Sequence, residues 1–202
     1  MKIYGVFNIT SILVLNNKSE SLRELLEVLR RNGVRVEVKK PMEPFNPESY
    51  EGLVVSGGAI PRSRLHEYLE WYCRLYRETR IPVLAICLGL RILGYCHGLR
   101  VRKLHPSELG VTKIFFHREY PLAPSRRELL VYENHDFEIL NLKPPIVNYA
   151  SSERCKIQAV KLEGKPFFAV QFHPEITEQN EGTIILENFV KLCRRFSPGE
   201  TA

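Results

Sequence analysis

No apolar run in this 202-residue chain is long enough to span a bilayer, and the N-terminus lacks a signal-type apolar core followed by a small-residue cleavage site. A membrane or secreted protein is therefore not expected. The five cysteines, at positions 73, 87, 96, 155 and 193, contain no Cys-x-x-Cys pair and no metal-ligand spacing. An odd count without a disulfide framework suggests free thiols and a reducing, cytoplasmic setting. Aromatic-rich nucleic-acid motifs are also missing. Lys and Arg outnumber Asp and Glu by 29 to 23, but they occur as dispersed pairs such as Arg30-Arg31, Arg126-Arg127 and Arg194-Arg195. This reads as a solvated basic surface that suits an acidic partner protein, not as a nucleic-acid site. What is present, 44% hydrophobic and 26% charged residues, is the composition of a globular protein with a sizeable core, most simply one domain over residues 1–202.

The chain is organised around residues 81–98. Pro82-Val83-Leu84-Ala85-Ile86 is a short apolar run of the kind buried on both faces of a sheet. Cys87-Leu88-Gly89 interrupts it, and Leu88, Ile92, Leu93 and Cys96 then follow helical spacing. A strand that turns sharply into a helix lifts the residue at the turn above the sheet. It also sets that residue against the free N–H groups and partial positive charge of the helix start. A cysteine there favours its thiolate, the nucleophilic form. Gly89 lets the turn close without a Cβ clash. Taken alone, the same stretch also reads as a buried structural cysteine.

Two further stretches weigh against that plainer reading. In Ala169-Val170-Gln171-Phe172-His173-Pro174-Glu175, a strand is expected to arrive at the sheet edge, and Pro174 biases His173 toward extended backbone. His173 and Glu175 then face one way, so the carboxylate reaches one imidazole nitrogen and leaves the other for a thiol. In Leu53-Val54-Val55-Ser56-Gly57-Gly58-Ala59, a buried strand ends in two glycines. Backbone N–H groups there could form half of an oxyanion hole, with the N–H of Leu88 as the other half. An ordinary tight turn is the alternative.

These three stretches, in this order, resemble the class I glutamine amidotransferases, which carry a Ser-Gly-Gly-Pro turn, a Gly-x-Cys-x-Gly-x-Gln elbow and a Gln-Phe-His-Pro-Glu strand. The resemblance runs from about residue 12 to residue 196. In length and layout it is closest to the free-standing glutaminase subunits of two-subunit GMP synthetases. It implies that Cys87 is the nucleophile, His173 the general base and Glu175 its orienter, with Gly58 and Leu88 donating to the oxyanion. Glu133-Asn134-His135-Asp136-Phe137 looks like the family's substrate loop, which adds Asn134, His135, Asp136 and Phe137 to Gly57 and Arg91 as substrate contacts. The implied substrate is glutamine, no metal or cofactor is needed, and ammonia passes to a separate synthetase chain. Ala85 and Ala59 are small departures from the family pattern. Arg91 is a larger one, because it stands where the family has a substrate-contacting glutamine. An arginine there could fork onto the substrate α-carboxylate but repels the α-ammonium, or it could turn out to solvent. The competing readings are a stand-alone γ-glutamyl hydrolase and a catalytically degenerate regulatory subunit.

Along the rest of the chain, strands and helices alternate as far as Gly98. Strands are expected at 12–16, 34–38 and 52–55, and helices follow Ser19 or Ser21 and span about 62–78. This predicts a doubly wound, mostly parallel α/β sheet of flavodoxin-like type. From residue 99 to 145 helical periodicity disappears, and strands at 111–116 and 129–133 predict antiparallel additions. His135 is the rival catalytic histidine, but it shows no carboxylate partner on a strand. A closing amphipathic helix is expected over 182–196.

Overall fold

A computed structural model of the chain describes residues 9–196; the apolar run at 3–7, which reads in the sequence as an added edge strand, and residues 197–202, which read as a frayed tail, lie outside them. The first half runs β1 (Ser11–Asn17), α1 (Leu22–Arg31), β2 (Arg35–Lys39), β3 (Gly52–Gly58), α2 (Leu65–Glu78), β4 (Val83–Ile86) and α3 (Leu88–Cys96). The second half runs β5 (Arg100–Phe116), β6 (Glu128–Leu140), β7 (Ile146–Ser151), β8 (Ala159–Leu162), β9 (Phe167–Val170) and α4 (Thr183–Arg195). The nine strands among the described residues form one sheet in the order β2-β1-β3-β4-β9-β8-β7-β5-β6. The five from β2 to β9 are parallel, and β8, β7, β5 and β6 follow antiparallel.

The side chains of the parallel half divide between two cores through the two-residue period of its strands. Ile12 and Val14 of β1 pack with Leu25 and Leu29 of α1 and Phe189 of α4, whereas Leu13 and Leu15 pack with Tyr72 of α2 and Leu88 of α3. A run that is apolar at every position can therefore be buried on both faces, with α1 and α4 covering one and α2 and α3 the other. Because β1, β3, β4 and β9 run in one direction, their carboxyl ends share one edge of the molecule. Asn17 there pairs with Gly58, and Ile86 pairs with Val170. Crevices at such ends are where doubly wound sheets bind ligands.

The structure departs from the sequence expectations in three places. β9 lies inside the sheet between β4 and β8, not at its edge, and it ends at Val170, so Gln171 to Glu175 form the turn that follows. The expected substrate loop at 133–137 is part of β6, and β5 is a 17-residue strand that pairs along it. The alternation that marks a strand is masked in the sequence because inward positions of this ribbon are charged. Glu133, His135 and Glu108 are all buried, with His135 Nε2 within 3.2 Å of both carboxylates. Finally, Cys73 and Cys96 form a disulfide, with Cα atoms 5.1 Å apart, that ties α2 to the end of α3. The reading of five free thiols is corrected here: the pairing carries no local motif and arises because two helices pack side by side on one face of the sheet.

Candidate active site

The turn after β4 holds Cys87 in a conformation that L-residues rarely adopt, with φ 48° and ψ −96°. Such a residue persists only where its surroundings over-determine it. Here the Cys87 N–H donates to Val170 O of β9 at 2.8 Å, and Cys87 O accepts from Arg91 N–H at 3.1 Å to begin α3. Gly89 permits the tight descent into the helix, since a Cβ there would lie 2.9 Å from Ala85 Cβ and 3.1 Å from Val55 O. The Cys87 thiol is partly exposed, whereas Cys155 and Cys193 are buried.

His173 arrives from the turn after β9. Its N–H donates to Tyr132 O of β6 at 2.8 Å, and its carbonyl accepts from Asn180 Nδ2 at 2.9 Å. The imidazole lies against Gly57, where any Cβ would sit 2.9 Å from His173 Cε1 and 3.6 Å from Cys87 Cβ. Glu175 Oε1 binds His173 Nδ1 at 2.8 Å, so Nε2 is the nitrogen left for Cys87. The turn thus achieves the pairing that extended backbone was expected to give. Burial opposes charge on the ring, but hydrogen bonding to Cys87 and Glu175 outweighs it and pushes the His173 pKa up to about 11. Two contacts were not foreseen from the sequence. Ser21 Oγ donates to Glu175 Oε1 at 2.6 Å, and the buried Gln171 donates from Nε2 to Cys87 Sγ at 3.7 Å. Ser21 carried the signal of a helix cap only, and it makes no side-chain cap bond on α1.

His135 does have carboxylate partners on strands, which corrects the reason given for setting it aside. Its Nε2 lies 3.2 Å from Glu108 and 3.1 Å from Glu133, and its Nδ1 is 3.0 Å from Phe137 O. Burial works against its charge, but the two carboxylates raise its pKa to about 10. Both ring nitrogens are therefore engaged inside the ribbon, and neither is left for a thiol. Glu108, His135 and Cys155 also place one donor atom each within 4.8 Å of one another, a set that could hold a metal ion. Burial keeps the Cys155 thiol protonated, and the imidazolium already supplies the positive charge between the carboxylates.

Two cavities meet at Cys87. The larger, about 700 Å³, is bordered by Ser21, Gly58, Val111, Tyr132, Asn134 and His173. The smaller, about 270 Å³, is bordered by Gly58, Leu88, Arg91, Asn134, His135, Asp136, Phe137 and Gln171. Arg91 does not turn away to solvent: its guanidinium lies 4.8 Å from the centroid of the Phe137 ring at the smaller cavity. Of the residues expected to contact substrate, Gly57 alone borders neither cavity and instead backs His173.

Residues 13–193 match the family described as glutamine amidotransferase class-I. The chain belongs to the class I glutamine amidotransferases. It is 33% identical over 189 residues to a Thermoplasma volcanium protein named as a subunit of glutamine-hydrolyzing GMP synthase, covering 93% of this chain and 94% of that one. A protein of the same name from Pyrococcus abyssi is 31% identical, with 90% and 98% covered. Among solved structures, a Thermoplasma acidophilum protein assigned to the same GMP synthase subunit superposes with a TM-score of 0.81 at 29% identity, covering 92% of this chain and 94% of that chain. A Thermotoga maritima glutamine amidotransferase superposes with a TM-score of 0.77 at 17% identity and covers 93% and 99%, a likeness of fold.

Proposed function

We propose that this amidotransferase is a glutaminase subunit that hydrolyses the side-chain amide of glutamine and delivers ammonia to a separate synthetase chain, with GMP synthetase as that partner. The observation that carries the reading is the strained Cys87 elbow beside a buried His173–Glu175 pair, open to two cavities. Cys87 Sγ attacks the carboxamide carbon, and the developing oxyanion is met by the backbone N–H groups of Gly58 and Leu88. His173 holds the proton given up by the thiol and passes it to the leaving nitrogen as the C–N bond breaks, releasing ammonia and leaving a γ-glutamyl thioester. Water then attacks the thioester, His173 takes its proton, and glutamate leaves as the sulfur is restored.

The smaller cavity suits the amino-acid end of the substrate. Arg91 and Asp136 both border it. One cation and one anion match a zwitterion, with Arg91 on the α-carboxylate and Asp136 on the α-ammonium, so the repulsion expected from Arg91 is offset by a neighbour of opposite sign. The names of the relatives support GMP synthetase as the partner, and the chain's formal charge of +6 suits an acidic one. A cytoplasmic setting follows from a nucleotide-forming partner. The Cys73–Cys96 disulfide is unusual there, and intracellular proteins of hyperthermophiles are the known exception. Among the described residues no helix is long and apolar enough to cross a membrane.

The test is ammonia release from glutamine, measured with and without the synthetase chain of GMP synthase from the same source. Wild type should turn over and be stimulated, while Cys87→Ala should release none. Turnover of substituted γ-glutamyl amides in preference to glutamine would favour the stand-alone hydrolase, and no turnover at all would favour a regulatory role.

A further inference from the structure

Four large apolar side chains stand in solvent on one face of the β5–β6 ribbon: Leu109 at 70% exposure, Phe115 at 44%, Val111 at 42% and Leu130 at 40%. The antiparallel register pairs Val111 with Tyr132, Lys113 with Leu130 and Phe115 with Glu128. Leu130 is therefore diagonal to both Val111 and Phe115, at a spacing of roughly 7–8 Å, and the side chains form one continuous patch. The charges within it are matched, since Lys113 Nζ lies 2.9 Å from Glu128 Oε1. Contiguous apolar surface of this kind marks an interaction site. The patch also runs into the active site. Val111 and Tyr132 border the larger cavity together with Cys87 and His173, and Tyr132 O accepts the backbone N–H of His173.

We infer that this face is the docking surface for the ammonia-accepting synthetase chain, an inference that rests on the glutaminase reading above. Ammonia released at Cys87 is lost as a nucleophile once water protonates it, so the chain that consumes it must cover the cavity mouth. A partner seated on Leu109, Phe115 and Leu130 reaches that mouth directly, because Val111 and Tyr132 belong to both surfaces. A second copy of this chain fits less well. It would bring together two molecules that each carry a formal charge of +6, and it would set two cavities against each other with no acceptor in either. The same contact bears on the strand that carries the Tyr132–His173 bond, so docking and alignment of the catalytic histidine are mechanically linked.

The experiment uses the full chain and the separately purified synthetase chain of GMP synthase from the same source. Leu109→Glu and Leu130→Glu change exposed side chains that border neither cavity. Val38→Glu, on β2 at the opposite edge of the sheet, is the control. Calorimetric titration should show tenfold or weaker binding for both ribbon variants and wild-type binding for Val38→Glu. Glutamine-dependent GMP formation should fall in parallel, while GMP formation from ammonium chloride and the basal glutaminase rate of each variant stay unchanged. Wild-type binding and coupling by both ribbon variants would overturn the docking surface and leave the glutaminase reading standing. A wild-type dimer that only the ribbon variants dissociate, with synthetase binding intact, would assign the face to a second copy and also overturn it. If wild type hydrolyses glutamine but neither binds the synthetase nor couples to it, the partner and its docking surface fall together. If wild type hydrolyses no glutamine under either condition, the glutaminase reading itself fails.

Discussion

Ser21 sits where α1 begins, yet its hydroxyl is spent on Glu175 Oε1 and not on the helix. Glu175 is itself 1% exposed and binds His173 Nδ1, so Ser21 is a positioning residue three contacts from the sulfur, through Glu175 and His173. A hydrogen bond to a charged group contributes about 1.5–3 kcal/mol, which converts to roughly tenfold to a hundredfold. Ser21→Ala should therefore lower kcat by about tenfold or more with KM for glutamine little changed, and Ser21→Thr should restore most of the rate. Steady-state kinetics decide this, and a change in KM alone would assign Ser21 to substrate binding. Arg91, which we propose as a substrate contact, is the opposite case. It borders the smaller cavity, and among the described residues it has no acidic partner within 4 Å. Arg91→Ala should raise KM for glutamine by about tenfold, the low end of the same range because the side chain is half-exposed, while kcat is nearly retained. An unchanged KM would remove Arg91 from the site.

The β5–β6 ribbon is held from inside by a charge arrangement and not only by apolar packing. His135 sits between Glu108 and Glu133, and Ser152 Oγ donates to the other oxygen of Glu108 at 2.9 Å. Its folded pKa of about 10 lies above the ordinary histidine value of 6.5. Its contribution to stability is therefore complete below about pH 6.5 and declines as pH rises toward 10, where the folded imidazolium loses its proton. His173, raised to about 11, adds a slope of the same sign. Urea unfolding at pH 6, 8 and 10 should show falling stability, and His135→Gln should flatten the fall without removing it. An identical slope in the variant would show that His135 is not charged in the folded ribbon. Tyr132 and Asn134, on either side of Glu133 in this ribbon, border the cavities.

Across the whole molecule, the Cys73–Cys96 bridge joins α2 to the far end of the helix that Cys87 begins. It encloses a loop with a sequence separation of 23, for which closure entropy predicts about 3 kcal/mol. Reduction, or Cys73→Ala, should lower unfolding stability by roughly that amount in urea titrations while glutamine hydrolysis at moderate temperature persists. Equal stability with and without reductant would mean the bridge does not form in solution. Brief alkylation without reductant should then label Cys87, because Cys73 and Cys96 are paired and Cys155 and Cys193 are buried. Labelling spread over several cysteines would contradict that burial.

The parallel half of the fold and the Cys87–His173–Glu175 grouping were legible in the amino-acid sequence, because both are written in local chemistry. Apolar runs of strand length, a cysteine between a strand and a helix, and a His-Pro-Glu triplet each declare themselves over a few residues, although the backbone turn that carries the triplet did not. The antiparallel ribbon was legible only in part. Its inward positions carry Glu108, Glu133 and His135, which look solvent-facing until strands 27 residues apart bring the charges together. Tertiary structure alone decided the Ser21–Glu175 bond, across 154 residues, the Cys73–Cys96 bridge and the inward turn of Arg91 onto Phe137. Each of these joins side chains from different elements, and such contacts depend on how the elements pack, which no local spacing encodes.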